Sequence, residues 1–169
     1  MSKKQIIGRE VAIDIIDEVE KVPAKVDTGA DASAIWASDI FVDKDGRLHF
    51  KLFEASSPYY TGKEHVVEKY RVASTKSSFG DTVIKYRVKL KIRIEGLIVN
   101  ASFGLSDRST HNYPILIGRR TISGRFLVDV SLNDNLIERK ASKTIKLNQA
   151  MQENPYDFYK NNYLNRGKK

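Results

Sequence analysis

The chain has 169 residues, 41% of them hydrophobic and 30% charged, with a net charge of +8 at pH 7. That length suits one domain able to bury its own core, and the lack of any cysteine excludes a disulfide scaffold, thiol catalysis and cysteine-held zinc or iron. The opening Met1-Ser2-Lys3-Lys4-Gln5 is followed only by Ile6-Ile7 before charge returns, so a soluble, cytoplasmic protein with no membrane contact is expected.

The basic field should attract acidic partners, and it is compatible with nucleic acid, ribosomes or acidic peptides without choosing among them. A well-solvated basic surface with no partner fits equally.

Along the chain the first strand signal is Val11, Ile13 and Ile15 alternating with Ala12, Asp14 and Ile16. Lys21 to Val26 is a second strand-like run, and it leads into Asp27-Thr28-Gly29-Ala30-Asp31. Asp-Thr-Gly supplies an acid able to activate a water, a hydroxyl to brace the loop and a glycine where the backbone turns beside the reacting atoms. From these residues alone a catalytic loop and a structural turn, whose carboxylate merely caps local amides, both remain open.

Leu48, Phe50 and Leu52 alternate with His49, Lys51 and Phe53, and turns are expected at residues 43–46, 56–58 and 77–81. The longest pattern runs from Val83 to Glu95. There Ile84, Tyr86, Val88, Leu90, Ile92 and Ile94 alternate with Lys85, Arg87, Lys89, Lys91 and Arg93, a separation that period two allows and a helix does not. Those cations form the solvated face of a strand or a surface that recruits acidic substrate.

Ile115-Leu116-Ile117-Gly118-Arg119 reads as a buried strand, Arg119 to Arg125 as a short helix, and Phe126 to Val130 as a last strand. The spacing suits an antiparallel barrel or a sandwich-like fold. Residues 138–169 hold eight Lys or Arg against three Asp or Glu, with a helix expected over Ser142 to Gln152 and a break at Asn154-Pro155. This suggests a domain over residues 1–136 and a basic C-terminal extension over 137–169.

Asp-Thr-Gly-Ala followed downstream by aliphatics and Gly-Arg resembles the retroviral-type aspartic peptidases. Ile7-Gly8-Arg9-Glu10, Ala24 to Ala30, Ser77 to Gly80, Leu116 to Arg120 and Gly124 to Asp129 sharpen this. Together they resemble the bacterial retropepsin-like family often labelled "ATP-dependent zinc protease". The resemblance implies a mainly β fold: a single-lobed, closed antiparallel acid-protease barrel with a short helix. It further implies that Asp27, Thr28 and Gly29 form the catalytic turn, that Gly118 and Arg119 support it with Arg119 paired to Asp31, and that Ala30, Asp31 and Ile117 meet substrate with Ser78, Phe79 and Gly80 of a flap.

The zinc label does not suit the residues, since His49, His65 and His111 are the only histidines and no His-Glu-x-x-His run occurs. Neither a phosphate-binding Gly-x-x-x-x-Gly-Lys nor a Gly-x-Ser-x-Gly elbow is present, so no cofactor or metal is expected. Aspartic peptidase chemistry needs two carboxylates sharing a proton. With one Asp-Thr-Gly per chain, the expectation is an endopeptidase acting as a homodimer with paired Asp27. The family's association with ligases that add glutamates to a ribosomal protein makes glutamate-rich peptides candidate substrates. The alternatives are a non-catalytic binding module on the same barrel, engaging ribosomal or other acidic partners, and more weakly a metal-dependent peptidase.

Overall fold

A computed structural model describes residues 4–76, 82–137 and 142–164. The chain divides into two compact units, Met1–Ile137 and Glu138–Lys169.

Eleven strands are found among the described residues of the first unit. They are β1 (Gln5–Ile7), β2 (Glu10–Ile15), β3 (Val19–Asp27), β4 (Ser33–Val42), β5 (Leu48–Leu52), β6 (Glu64–Val67), β7 (Arg71–Lys76), β8 (Thr82–Ile94), β9 (Leu97–Ser106), β10 (Ile115–Gly118) and β11 (Phe126–Val128). A one-turn helix, α1 (Arg119–Ile122), joins β10 to β11.

Strands β10, β3, β2, β8, β9 and β4 pair in that order, and β4 returns to β10, closing a six-stranded barrel. Four seams are antiparallel, as expected. Two are parallel, β3 with β10 and β4 with β9. The reason is the route of the chain: β10 arrives after a long excursion and slots between β3 and β4, so it cannot run opposite to both. Closure removes the exposed edges that an open sheet would leave.

The core follows the alternation. Ile13, Ile35, Ile92, Ile94, Phe103, Ile115 and Ile117 have essentially no exposed surface, while Lys89 and Lys91 face out from the same strand that buries Val88 and Ile92. At Glu95-Gly96 both residues take positive φ, 46° and 77°, which forms the tight two-residue hairpin between β8 and β9. Residues Thr82 to Tyr86 of β8 pair only with β7, so this ribbon extends past the barrel and leaves Val72, Val83 and Ile84 exposed. The tip expected at Ser78, Phe79 and Gly80 lies outside the described residues.

A flange of β4, β5 and β6 carries a charged cluster. His49 Nε2 lies 3.0 Å from Asp43 Oδ2, its Nδ1 lies 3.2 Å from Glu64 Oε1, and its ring stacks on Phe41. The bond to Asp43 raises the pKa of His49 against opposing desolvation, and Glu64 adds to the rise. His49, with Arg47, in turn holds Asp43 well below the usual carboxylate range. Because the folded imidazole titrates above the unfolded one, its stabilisation is complete below about pH 6.5 and is lost as pH rises through the folded value. Asp43 contributes in the opposite sense, losing its stabilisation as pH falls through its depressed value. NMR titration should place the His49 midpoint above 6.5, moving back down in Asp43→Asn; a midpoint at or below 6.5 in the parent would contradict the pairing.

The second unit contains α2 (Ser142–Glu153), α3 (Pro155–Tyr159) and a π-helical turn (Lys160–Leu164). Asn154 ends the first helix and caps the second, its Oδ1 accepting from Asp157 N at 3.2 Å, with Pro155 in the first turn.

Candidate active site

Strand β3 buries Val22, Ala24 and Val26 and delivers the half-buried Asp27 at its last position. Asp27 Oδ1 accepts hydrogen bonds from Gly29 N at 3.0 Å and Ala30 N at 3.1 Å. Two fixed donors hold one carboxylate oxygen, while Oδ2 has no hydrogen-bond partner among the described residues. Such an arrangement orients a carboxylate and leaves one oxygen free to meet a water.

The loop is braced from β10, which runs parallel to β3 with Gly118 opposite Asp27 and Ile117 opposite Val26. A Cβ on Gly118 would stand 2.5 Å from the carbonyl carbon of Ala32 and under 3 Å from that residue's O and N. Only glycine allows this approach. The Gly118 N–H donates to Ser33 Oγ at 3.1 Å, and Ser33 Oγ is hydrogen-bonded to Thr121 Oγ1 at 2.8 Å, both side chains buried. From α1, Arg119 N donates to Ala30 O at 2.8 Å and Arg120 N to Asp31 O at 3.2 Å.

Arg119 Nη2 contacts Asp31 Oδ1. Both side chains are more than half exposed, so the pair contributes at most about 1 kcal/mol. The main-chain bonds and the Ser33–Thr121 link therefore fix the loop, and the ion pair mainly orients its rim.

Three expectations change in detail. Thr28 was expected to brace the loop, yet it is exposed and its hydroxyl has no partner among the described residues; the bracing hydroxyls are Ser33 and Thr121. Gly29 does not have positive φ, and a Cβ there would meet only Asp27 Oδ1 at 3.4 Å, so nothing within this chain demands glycine. Ile117 was expected to meet substrate, but its side chain has no exposed surface and lies in the barrel core, supporting the loop from beneath. Ala30 is half-buried and Asp31 exposed at the loop rim, whereas Ser78, Phe79 and Gly80 are outside the described residues.

Other residues were not singled out by sequence. Ser33 and Thr121 look like ordinary small polar residues, and only the apolar neighbours Ile35 and Ile122 hint at their burial. Glu10 is 2% exposed, accepting from Tyr113 Oη at 2.5 Å and Leu136 N at 3.3 Å. Gly8 lets the chain pass against Leu132, whose carbonyl oxygen would stand 2.7 Å from a Cβ. These contacts give Gly8 and Glu10 structural roles.

Among the described residues no group of three or more His, Asp or Glu stands where it could hold a metal. The nearest set fails geometrically, because Asp43 and Glu64 sit at opposite ring nitrogens of His49 and do not converge on one point. No helix among the described residues is long and apolar enough to cross a membrane.

The closed six-stranded β-barrel, with an Asp-Thr-Gly turn braced by a Gly-Arg strand end, is the retropepsin-like fold. A family model described as the retropepsin-like aspartic endopeptidase RimB matches residues 6–140, and the chain belongs to this RimB-like family. Among solved structures it resembles a Legionella pneumophila protein of unknown function (DUF785), with a TM-score of 0.59 and 23% identity over 79% of this chain and 99% of that one. That likeness concerns the fold alone. No curated protein matches the chain.

Proposed function

We propose that this chain is an aspartic endopeptidase whose site is completed by a second copy, so that two Asp27 carboxylates face each other across a two-fold axis. The carrying observation is the Asp27 carboxylate itself, one oxygen fixed by two main-chain N–H groups and the other free, in a chain of this family. Two facing carboxylates cannot both ionise at close range, so they share a proton. The ionised one takes a proton from a bound water as that water attacks the peptide carbonyl. The protonated one gives its proton to the carbonyl oxygen. The carboxyl that took the water's proton then gives it to the nitrogen as the C–N bond breaks, while the other carboxylate takes a proton from a hydroxyl of the tetrahedral carbon, so that the product carboxyl forms and the pair again holds one shared proton.

Exposed Thr28, and a Gly29 that nothing in its own chain requires, support a face occupied by another copy. A second surface supports it too. Strands β1 and β11 form a separate parallel ribbon, in which Ile7 and Phe126 are buried while the register partners Ile6 and Leu127 are 59% and 53% exposed. The chain leaving β1 stays close to the site, since Val26 N, next to Asp27, donates to Arg9 O. Leu127→Asp should weaken dimerisation at least about tenfold by placing a charge in an apolar contact. Analytical ultracentrifugation checks this, and an unchanged dimer constant would remove the ribbon from the interface.

The substrates are acidic, glutamate-rich peptides, a reading supported by the net charge of +8. The function is tested by cleavage of such a peptide by the purified chain in excess chelator. Loss of cleavage in chelator would point to a metal instead.

A further inference from the structure

We propose that Arg87 and Arg120 form a carboxylate-binding subsite flanking the Asp27 loop, where they grip an acidic group of the bound peptide. The proposal rests on the peptidase reading above and assigns its charge recognition to two residues.

Arg87 stands where β8 first pairs with β9, opposite Gly104. Its Nη2 donates to Ser102 O at 3.1 Å, and its Nη1 lies 4.0 Å from where a Cβ on Gly104 would be. That same Cβ position lies 3.8 Å from Ser33 O. The side chain thus folds back over a residue with no side chain and arrives beside the Ser33 end of the active-site loop. Arg120 reaches the same loop from α1, where its N–H holds Asp31 O. The Arg87 guanidinium and the main chain of Arg120 thus both stand at residues 31–33, a few positions from Asp27, and the Arg120 charge is close enough to act on Arg87.

Neither guanidinium has a carboxylate partner among the described residues. Three other arginines are neutralised by carboxylates, Arg93 by Asp14 at 3.0 Å, Arg47 by Asp43 and Asp45, and Arg119 by Asp31, whereas Arg108 and Arg125 spend donors on main-chain carbonyls. Lys89 and Lys91, on the same strand as Arg87, simply face solvent. Arg87 differs from them in being half-buried with a second cation close by. Burial first, and then the Arg120 charge, weaken its hold on its proton. Holding two like charges together beside a loop opposes folding, and an anion between them offsets that opposition. Anchored through a single Nη2 bond, Arg87 keeps further N–H donors in the planar fork that matches a carboxylate. Lys85, on the same face two residues earlier, extends the positive field along β8, and its charge reaches His111, which also feels Arg108 and the opposing Asp107. A peptide lying along this arm would set successive acidic side chains against cations.

A carboxylate can come from a glutamate side chain or from the α-carboxylate of a peptide end. A glutamate-rich fluorogenic peptide and its glutamine counterpart, each as free acid and as C-terminal amide, separate the two. Binding is read by fluorescence anisotropy on the full chain carrying Asp27→Asn, and cleavage on the chain with Asp27 intact. Side-chain recognition predicts tighter binding of the glutamate peptide in both terminal forms, whereas end recognition predicts a preference for free acids in both compositions.

In either case Arg87→Gln and Arg120→Gln should each reduce the preference about tenfold, the worth of one charge-assisted fork. Arg87→Lys, which keeps the charge and loses the fork, should restore it only in part. A preference unchanged in both glutamine variants, with circular dichroism showing them folded, overturns the subsite. Absence of cleavage with the binding preference intact would sink the peptidase reading and leave the subsite standing.

Discussion

Replacing Asp27 by Asn should lower peptide cleavage by at least about a thousandfold while leaving the fold and the dimer intact. The amide oxygen of the substituted side chain can still accept from Gly29 N and Ala30 N, so the turn keeps its two hydrogen bonds. What is lost is the titratable oxygen, and with it the shared proton that both halves of the reaction use. Unchanged melting and sedimentation alongside lost turnover would separate this outcome from misfolding. A binding module on the same barrel would instead keep all of its partner affinity, and residual cleavage near the parent rate would remove Asp27 from the chemistry.

The second large effect concerns the strand that supports the turn. Gly118→Ala should destabilise the barrel by about 3 kcal/mol or more, since the added methyl meets main-chain atoms of Ala32 that no rotamer change can move. For a domain of this size that lowers Tm by about 10 °C. The loss should exceed that of Gly29→Ala, where the new Cβ makes only an ordinary contact with Asp27 Oδ1. Thermal melts of the two variants measure the contrast directly, and similar Tm values for both would contradict the role given to Gly118. Catalytically the order should reverse: Gly29→Ala should fold well and dimerise poorly, because its methyl projects into space that the partner copy would occupy.

The strands of this barrel were legible where alternation was long. Residues 83–95 read as a strand that the structure places at Thr82–Ile94, and Leu48, Phe50 and Leu52 read as the buried face of β5. In both, period two is a property of neighbouring residues and needs no knowledge of the partner strand. Partners were not legible. The parallel seams of β10 with β3 and of β4 with β9 arise from chain routing over long separations, on which local pattern is silent. The last strand stops at Val128, short of the expected Val130, because Asp129 Oδ1 turns back to accept from Ser131 N and Ser131 Oγ.

The candidate site divides the same way. Asp27 and the Gly-Arg strand end were picked out by their order and combination, through resemblance to a family, since Ile115 to Arg119 taken alone reads as an ordinary core strand. Ser33 and Thr121 did not, since a buried hydroxyl pair differs from an exposed one only in what surrounds it. Arg87 was one of five cations on an alternating strand, and its partial burial and the side chain's return over Gly104 distinguish it from Lys89 and Lys91.

The central claim is that one active site draws an Asp27 from each of two chains, and subunit mixing tests it most directly. Wild-type and Asp27→Asn chains are mixed in varying ratio, allowed to exchange, and assayed at fixed total concentration. If each site needs both carboxylates, activity falls as the square of the wild-type fraction, to about one quarter at equal mixing. A linear fall, to about one half, would mean that each chain works alone, contradicting the paired site.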